Sequence, residues 1–273
     1  MKRCCLLYLT RHSPGVLQKA EAQAAAARAL GIDFDFVIIS GRPLQSSHNV
    51  RHVAAPFLRY PFIVKYFVHL FCGFRTMRRA IDWGTYDKVV LRYPLTIGVG
   101  ALPFFSEYGQ KLITEHHSDA PAEMRKKSML GRISAWVEER RSPQALRCVA
   151  GIIGVTDEIT RRMLKHSSAT PHFTFSNGID AARFAFTGFR PYRAGPLTVL
   201  FVANTFSPWH GVDRLIRSLK AYEGTTEVIL NLVGNPDTDT LSIAEDCTNP
   251  RVRINFLGRC FGDTLDGCFR DAN

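Results

Sequence analysis

Short apolar runs alternate with helix-length segments along most of the chain, and this alternation constrains the fold more than any other feature. In the first half the apolar runs are residues 4–9, 34–39, 88–91, 111–114, 151–155 and 172–175. The clearest intervening helix is 16–30, which is rich in alanine and is followed by Gly31, a residue typical of helix C-termini. Strands joined by helices pair in parallel and bind ligands at their carboxyl ends. The sequence therefore predicts an α/β fold with functional residues after strands.

A second series of strands and helices begins near Gly195. Strands are predicted at 197–202, 228–233 and 252–257, and helices at 212–221, 240–247 and from Thr264. Before it, residues 187–196 contain two glycines and two prolines with little periodicity, a composition that is typical of linkers. We therefore predict two doubly wound domains, 1–190 and 191–273, with a cleft between them. The second is small and incomplete for its class, because domains commonly contain about 100–150 residues.

The net charge narrows the range of binding partners, and the cysteine content indicates the cellular compartment. The formal net charge of +11 predicts attraction to nucleic acid, anionic lipid or phosphorylated small molecules. No helix-turn-helix, RNP or zinc-finger pattern is present, which argues against nucleic acid. The seven cysteines include no C-x-x-C pair, so neither a disulfide framework nor a zinc site is expected, and a reducing cytosol fits best.

Residues 53–74 are rich in Phe, Tyr, Leu and Val. Arg59 and Lys65 interrupt this stretch, and a membrane-spanning helix needs about 20 predominantly apolar residues. Two interpretations stay open. A core helix with a solvated basic end is favoured over a segment that lies on an anionic membrane surface through its aromatic residues and Arg75, Arg78 and Arg79.

The loop at residues 203–210 and the helix that begins at Gly211 are the strongest candidate for a ligand site. Unpaired backbone N–H groups and the helix dipole favour an anion at such a helix N-terminus. Glycine also lets the backbone approach a diphosphate closely. This segment therefore predicts binding of a phosphorylated ligand.

Several segments together carry a family resemblance. They are Ser13-Pro14-Gly15, Ile113-Thr114-Glu115-His116-His117, Gly154-Val155-Thr156-Asp157-Glu158-Ile159, Ser176-Asn177-Gly178-Ile179-Asp180, residues 202–215, Leu232-Val233-Gly234-Asn235 and residues 254–259. In their order and spacing they resemble the retaining glycosyltransferases of family 4, which have the GT-B fold of two Rossmann-like domains.

The resemblance implies a cytoplasmic hexosyltransferase, peripheral at the inner face of the cell membrane, that acts in polysaccharide or glycolipid assembly. A nucleotide diphosphate sugar is the donor substrate, held by the second domain, and no cofactor is expected. A saccharide or lipid-linked acceptor is held by the N-terminal domain. An anionic membrane surface is a further expected partner, and nucleic acid is not.

The resemblance also assigns candidate site residues. His116 and His117 are the catalytic candidates, and the Thr-x-His spacing favours His116, which orients a sugar hydroxyl or stabilises positive charge through its carbonyl. The donor-binding candidates are Thr205, His210, Gly211, Arg214, Gly234 and Arg259. The acceptor-side loop is Ser13, Pro14 and Gly15. No metal site is predicted, since Asp237-Thr238-Asp239 is interpreted as a helix cap.

The sequence departs from the family pattern at two places, and both bear on the transferase activity that is expected of the chain. Thr205 and His210 stand where the family places an Arg and a Lys that neutralise the diphosphate. The family's glutamate pair, spaced by seven residues, would follow Ala272-Asn273, so the sequence is interpreted as truncated and is expected to have weak or no transferase activity. The alternative is a non-catalytic basic protein that binds polyanions or a membrane surface. A dinucleotide oxidoreductase is disfavoured, because the G-x-G-x-x-G fingerprint is missing.

Overall fold

The computed structural model describes residues 2–9, 14–41, 50–93, 100–127, 129–165, 167–178, 192, 194–206 and 210–273. The chain divides into two compact units, Met1–Phe184 and Ala185–Asn273, here called unit 1 and unit 2. The boundary predicted between residues 190 and 191, and most of the predicted linker, fall outside the described residues.

Unit 1 is built on a seven-stranded parallel sheet with the strand order β3-β2-β1-β4-β5-β6-β7. The strands are β1 Arg3–Leu9, β2 Phe34–Ser40, β3 Val50–Ala54, β4 Lys88–Arg92, β5 Leu112–His116, β6 Gly151–Gly154 and β7 His172–Thr174. The helices are α1 Pro14–Ala29, α2 Phe62–Ala80, α3 Ala101–Tyr108, α4 Ala120–Lys127, α5 Met129–Arg147 and α6 Asp157–Leu164. Short 3₁₀ turns occupy Pro56–Arg59 and Gly109–Lys111. This order is that of a doubly wound sheet, as predicted.

The apolar residues of the central strands and the inner helix faces form the main core of unit 1. Leu6 of β1 pairs with Val37 of β2 and Leu91 of β4, and all three side chains are buried. Aromatic rings from α2 and α3 pack beneath them, with Phe74 and Phe104 centroids 5.4 Å apart. Burial of this apolar surface is the main force that fixes the helices against the sheet.

The sequence did not indicate β3, the edge strand next to β2. Only Val50 of this strand is buried, and its centre carries Arg51 and His52. His52 Nε2 lies 2.9 Å from Ser40 Oγ on β2. An edge strand needs burial on one side only, so its pattern is weakly apolar. The helix interpretation of 53–74 was therefore wrong at its start, where residues 53 and 54 complete β3.

Further along that stretch, Pro56–Arg59 form a 3₁₀ turn, and only residues 62–74 lie in α2, which buries Phe74 and Met77 against the sheet. Across the part of the chain that the structure describes, no helix combines the length and apolar character that crossing a bilayer requires.

Unit 2 has a three-stranded parallel sheet with the order β10-β9-β8. Its strands are β8 Leu197–Thr205, β9 Val228–Asn235 and β10 Val252–Gly258, and its helices are α7 Val212–Lys220, α8 Thr238–Glu245 and α9 Gly262–Asp271. Ile216 of α7 packs with Leu230 and Leu232 of β9 in the core. All three predicted strands are confirmed, but β8 continues to Thr205, so the loop predicted from residue 203 begins later.

Candidate functional site

In unit 1, the two candidate histidines lie at the carboxyl end of β5. His116 is the last residue of the strand, where it pairs with Gly154 of β6, and His117 follows it. Both histidines thus lie at a strand's carboxyl end, but the strand that was predicted to end at residue 114 continues to His116. The strand is longer because β6 pairs with it up to His116, and the N–H of Val155, the residue after β6, donates to the His116 carbonyl at 3.1 Å.

The His116 side chain is enclosed, with 4% of its surface exposed. Its ring stacks on Tyr93 with a centroid separation of 4.4 Å, and Nε2 lies 3.1 Å from Thr114 Oγ1. Burial, assisted by the charge of His117 and opposed by Glu115, lowers the pKa of His116 to about 3. The imidazole is therefore neutral at physiological pH, which suits hydrogen bonding rather than proton transfer.

This burial predicts a pH-dependent stability. We expect the free energy of unfolding to be fully retained above pH 6.5 and to fall as the pH drops toward 3, because His116 binds a proton in this range only when the chain unfolds. The slope from this group reaches about 1.4 kcal/mol per pH unit.

Urea unfolding of the wild-type chain and the His116→Gln variant between pH 7 and pH 4 measures this slope. The variant should show the shallower slope, whereas His172→Gln, at an exposed histidine, keeps the original one. Equal slopes in all three proteins would refute this assignment.

A polar cluster surrounds Glu115 at the same edge of the sheet, and we call Lys19, Arg92, Glu115, His117 and Asn177 the Glu115 cluster. Glu115 Oε1 lies 3.1 Å from His117 Nε2 and 3.8 Å from Lys19 Nζ. Lys19 also donates to Asn177 Oδ1 at 3.1 Å. Arg92 ends β4 directly beside Glu115 in the strand register. The cluster joins α1, β4, β5 and the segment after β7.

The electrostatics of this cluster keep Glu115 charged. Burial alone would raise the pKa of Glu115, but the hydrogen bond and charge of His117, with the charges of Lys19 and Arg92, lower it below its ordinary value. A charged carboxylate beside an imidazole and an ammonium group can orient sugar hydroxyls.

Sequence reasoning missed Lys19 and Arg92. Arg92 had a usable signal, since it directly follows the apolar run 88–91 and so falls at a strand's carboxyl end. Lys19 had none, because it lies inside the alanine-rich helix and reaches Glu115 only through tertiary packing.

The predicted acceptor-side loop is mostly helix. Pro14 and Gly15 form the first turn of α1, which starts two residues earlier than predicted, and Ser13 lies outside the described residues. Proline suits the first position of a helix, because its missing N–H would have no partner there and its φ is already helical.

In unit 2, Thr205 and His210 lie at the carboxyl end of β8. Thr205 is the last residue of the strand and is exposed. His210 is also exposed, and its ring centroid lies 6.2 Å from that of Phe201. Residues 207–209, which lie between Thr205 and His210, are outside the described residues. Both polar side chains are thus at the edge where a parallel sheet binds its ligands.

Gly211 and Arg214 are brought together at the N-terminus of α7. Gly211 is the residue before the helix and has a φ of +73°, a conformation that glycine adopts readily. A Cβ at Gly211 would lie 2.9 Å from Arg214 Nη2, so the guanidinium folds back over the start of the helix. A cation and the free N–H groups of the first turn therefore converge on one place.

Gly234 and Arg259 lie at the ends of the other two strands. Gly234, in β9, has a φ of +136°, and a Cβ there would lie 1.7 Å from the Ala203 carbonyl oxygen of β8. Its position is thus explained by the close approach of two strands. Arg259 directly follows β10 and is exposed. All six predicted donor residues therefore fall at or near the carboxyl edge of this sheet.

The charged lining of a neighbouring cavity of about 300 Å³ between α7 and α8 is mainly acidic, with Asp213, Asp237 and Asp239 against the one cation Arg217. Carboxylates repel a diphosphate, so this cavity is a poor donor site. Asp237 caps α8, as predicted, and accepts the Thr240 N–H at 2.8 Å. In the described ranges, no group of three or more His, Cys, Asp or Glu side chains is placed to hold a metal ion.

Three solved glycosyltransferase structures share the fold of this chain. A glycosyltransferase from Rickettsia africae ESF-5 aligns over 100% of this chain and 72% of its own, with 12% identity and a TM-score of 0.59. The lipopolysaccharide outer core galactosyltransferase WaaB aligns over 98% and 71%, with 10% identity and a TM-score of 0.58. An alpha-glucosyltransferase in complex with UDP and DNA aligns over 96% and 68%, with 10% identity and a TM-score of 0.54. The two Rossmann-like units are therefore of the predicted GT-B class.

Sequence comparison supplies the family. Among curated proteins no sequence match to the chain was found. The family description Glycosyltransferase Family 4 matches residues 18–183, which is more than half of the chain and includes β2 to β7 with the Glu115 cluster. The chain belongs to Glycosyltransferase Family 4.

Proposed function

We propose that the chain is a retaining hexosyltransferase, which moves a sugar from a nucleotide diphosphate sugar to a saccharide or lipid-linked acceptor. Its place would be the cytoplasmic face of the cell membrane, in the assembly of polysaccharide or glycolipid. Family membership supports transfer of a sugar, and we assign one substrate to the carboxyl edge of each parallel sheet. The donor itself is the activated reagent, so the proposed reaction uses no further cofactor.

The observation that carries the donor assignment is the position of Arg214 over the start of α7. A diphosphate carries charges that need both hydrogen-bond donors and cations. The N–H groups of the first turn of α7 supply the first, and Arg214 supplies the second. This arrangement supports Arg214 as the replacement for the family's loop cations, whose places are taken by Thr205 and His210.

Arg259 and His210 complete the proposed donor site. Arg259 follows β10 at the same edge of the sheet, where a guanidinium can stabilise the charge that develops on the departing diphosphate. His210 can donate a hydrogen bond to a phosphate oxygen. The proposed site thus uses helix, arginine and imidazole groups in place of a single pair of loop cations.

For the acceptor, we propose the Glu115 cluster of unit 1. Its charged carboxylate accepts hydrogen bonds from sugar hydroxyls, while Lys19 and Asn177 offer donor groups beside it. Neutral His116 adjoins Glu115 in β5, and its buried ring stacks on Tyr93. The cluster thus orients an acceptor by hydrogen bonds, and removal of a proton from the acceptor is not assigned to His116.

A nucleotide-binding measurement tests the donor assignment. Titration of the chain with UDP, GDP, ADP and dTDP should show binding of at least one, and Arg214→Ala should weaken it about tenfold or more, because a charge-assisted hydrogen bond contributes about 1.5–3 kcal/mol. Lys220→Ala is the matched control, since Lys220 is a cation at the other end of α7. Equal affinities of the two variants, or no binding of any nucleotide, would exclude this donor site.

A further inference from the structure

Helix α2 carries a row of exposed apolar residues on the side that faces away from the core. Val64, Phe67 and Phe71 are 48%, 49% and 62% exposed, and Arg75 and Arg78 continue the row. Their spacing of three or four residues places them on one face of the helix. The outer face of a helix packed on a sheet is normally polar, so this row is unusual for the position of α2.

Helix α5 repeats the same arrangement. Met129, Ile133 and Trp136 are 81%, 55% and 54% exposed, and they are followed on the same face by Arg140 and Arg147. The Arg140 guanidinium lies 4.1 Å from the centroid of the Trp136 ring. Each of these helices therefore has an apolar first half and a basic second half on its outer face. We call the two sets of residues the outer rows.

The outer rows run in the same direction. Helix α2 ends shortly before β4 begins, and α5 ends shortly before β6 begins, so both helices run toward the amino ends of the strands. Their apolar first halves therefore lie toward the carboxyl edge of the sheet. That edge also holds the Glu115 cluster.

The outer rows also lie on one face of the sheet. The connections from β3 to β4 and from β5 to β6 cross the sheet in the same direction, and right-handed crossovers place their helices on the same face. Helix α3 contacts both α2 and α5, which agrees with this placement. A single surface of unit 1 thus presents both rows.

We infer that the outer rows form a docking surface for an anionic lipid bilayer. Helices on one face of a sheet present convex ridges, which fit a flat interface better than the groove that a peptide would need. Phenylalanine and tryptophan enter the boundary between head groups and acyl chains, and arginines reach anionic head groups from the same face. Charge complementarity supports this partner, because α2 contains no acidic residue and the chain has a net charge of +11.

This inference does not rest on the proposed transfer reaction, since it depends only on the exposed residues of unit 1. If both hold, the apolar halves of the rows share the carboxyl edge of the sheet with the Glu115 cluster, whose Lys19 comes from α1 on the opposite face.

Vesicle co-sedimentation of the full chain tests the apolar part of the surface. We expect recovery with phosphatidylglycerol-containing vesicles and little with pure phosphatidylcholine vesicles at low salt. The Phe71→Ser/Trp136→Ser variant should partition about tenfold more weakly, because two large apolar side chains no longer enter the interface. Leu30→Ser is the control, since Leu30 is 75% exposed but lies outside both rows. Circular dichroism verifies that all variants are folded.

Charge-reversal variants test the basic halves of the outer rows. Arg75→Glu/Arg140→Glu should weaken partitioning about tenfold or more, because each basic residue near an anionic surface contributes several-fold. Arg217→Glu/Lys220→Glu changes the net charge equally on unit 2, and should have a smaller effect.

Three outcomes would overturn the inference. They are no recovery on anionic vesicles, equal recovery on both vesicle types, and equal binding by the row variants and their controls. Sedimentation velocity distinguishes membrane docking from one further alternative, which is self-association of the chain. A dimer that Phe71→Ser/Trp136→Ser dissociates, without vesicle binding, would identify the rows as a contact between two copies of the chain.

Discussion

Replacement of Gly234 by alanine is expected to unfold unit 2. A Cβ at this position would lie 1.7 Å from the Ala203 carbonyl oxygen, and the φ of +136° is one that alanine rarely adopts. The overlapping atom belongs to the backbone of the neighbouring strand, so no side-chain rotation relieves the clash. We expect the free energy of unfolding of unit 2 to fall by about 4 kcal/mol or more.

Gly258→Ala is the matched control for this experiment. Gly258 also has a positive φ, +66°, but nothing lies within 4 Å of its Cβ position. That variant should cost only about 1–2 kcal/mol, the penalty for a left-handed alanine. Hydrogen exchange of the β9 amides reports the stability of unit 2 by itself. Equal protection in the two variants would contradict the structural role of Gly234 and would reopen its assignment to donor binding.

Removal of the Glu115 carboxylate is expected to lower sugar transfer about a hundredfold. Glu115→Ala leaves Lys19, Arg92 and His117 without their shared counter-charge, and it removes the group proposed to orient the acceptor. Displacement of an acceptor by about 1 Å is enough for a loss of this size. Release of nucleoside diphosphate from the donor in the presence of acceptor measures the effect.

Two controls keep this prediction specific. Glu139→Ala removes another carboxylate of unit 1, which pairs with Arg125 on the surface, and it should retain wild-type transfer. Nucleotide binding by Glu115→Ala should be unchanged, because Arg214 and α7 belong to unit 2. A Glu115→Ala variant with full transfer activity would remove the Glu115 cluster from the proposed acceptor site.

All strands except β3 could be predicted because each contains a mainly apolar segment of strand length. Parallel strands buried on both faces are rich in apolar residues. β5 and β8 run further than predicted because a neighbour extends the ladder to His116 and Thr205, whereas β6 and β7 end one residue earlier than predicted. The edge strand β3 escaped prediction because its exposed side allows Arg51 and His52. Edge position is a property of the assembled sheet, and a local window of sequence does not contain it.

The candidate site was predictable in its location more than in its details. Residues directly after strands, such as His117 and Arg259, are placed by topology alone. Three details of the site depend on how side chains pack. They are the position of the Arg214 side chain over Gly211, the contact of Lys19 with Glu115 and the burial of His116. These contacts add features that the sequence does not show. Gly234 is a point of close strand contact, and His116 is buried and neutral.

Hydrogen–deuterium exchange of the full chain, with and without a bound nucleoside diphosphate, tests the central claim most directly. The claim is that the carboxyl edge of unit 2 holds the diphosphate of the donor. We predict slower exchange of the amides in the first turn of α7, after Gly211, and around Arg259, with β9 unchanged in its interior. Slower exchange confined to other segments, with the start of α7 unaffected by a nucleotide that binds, would contradict the account.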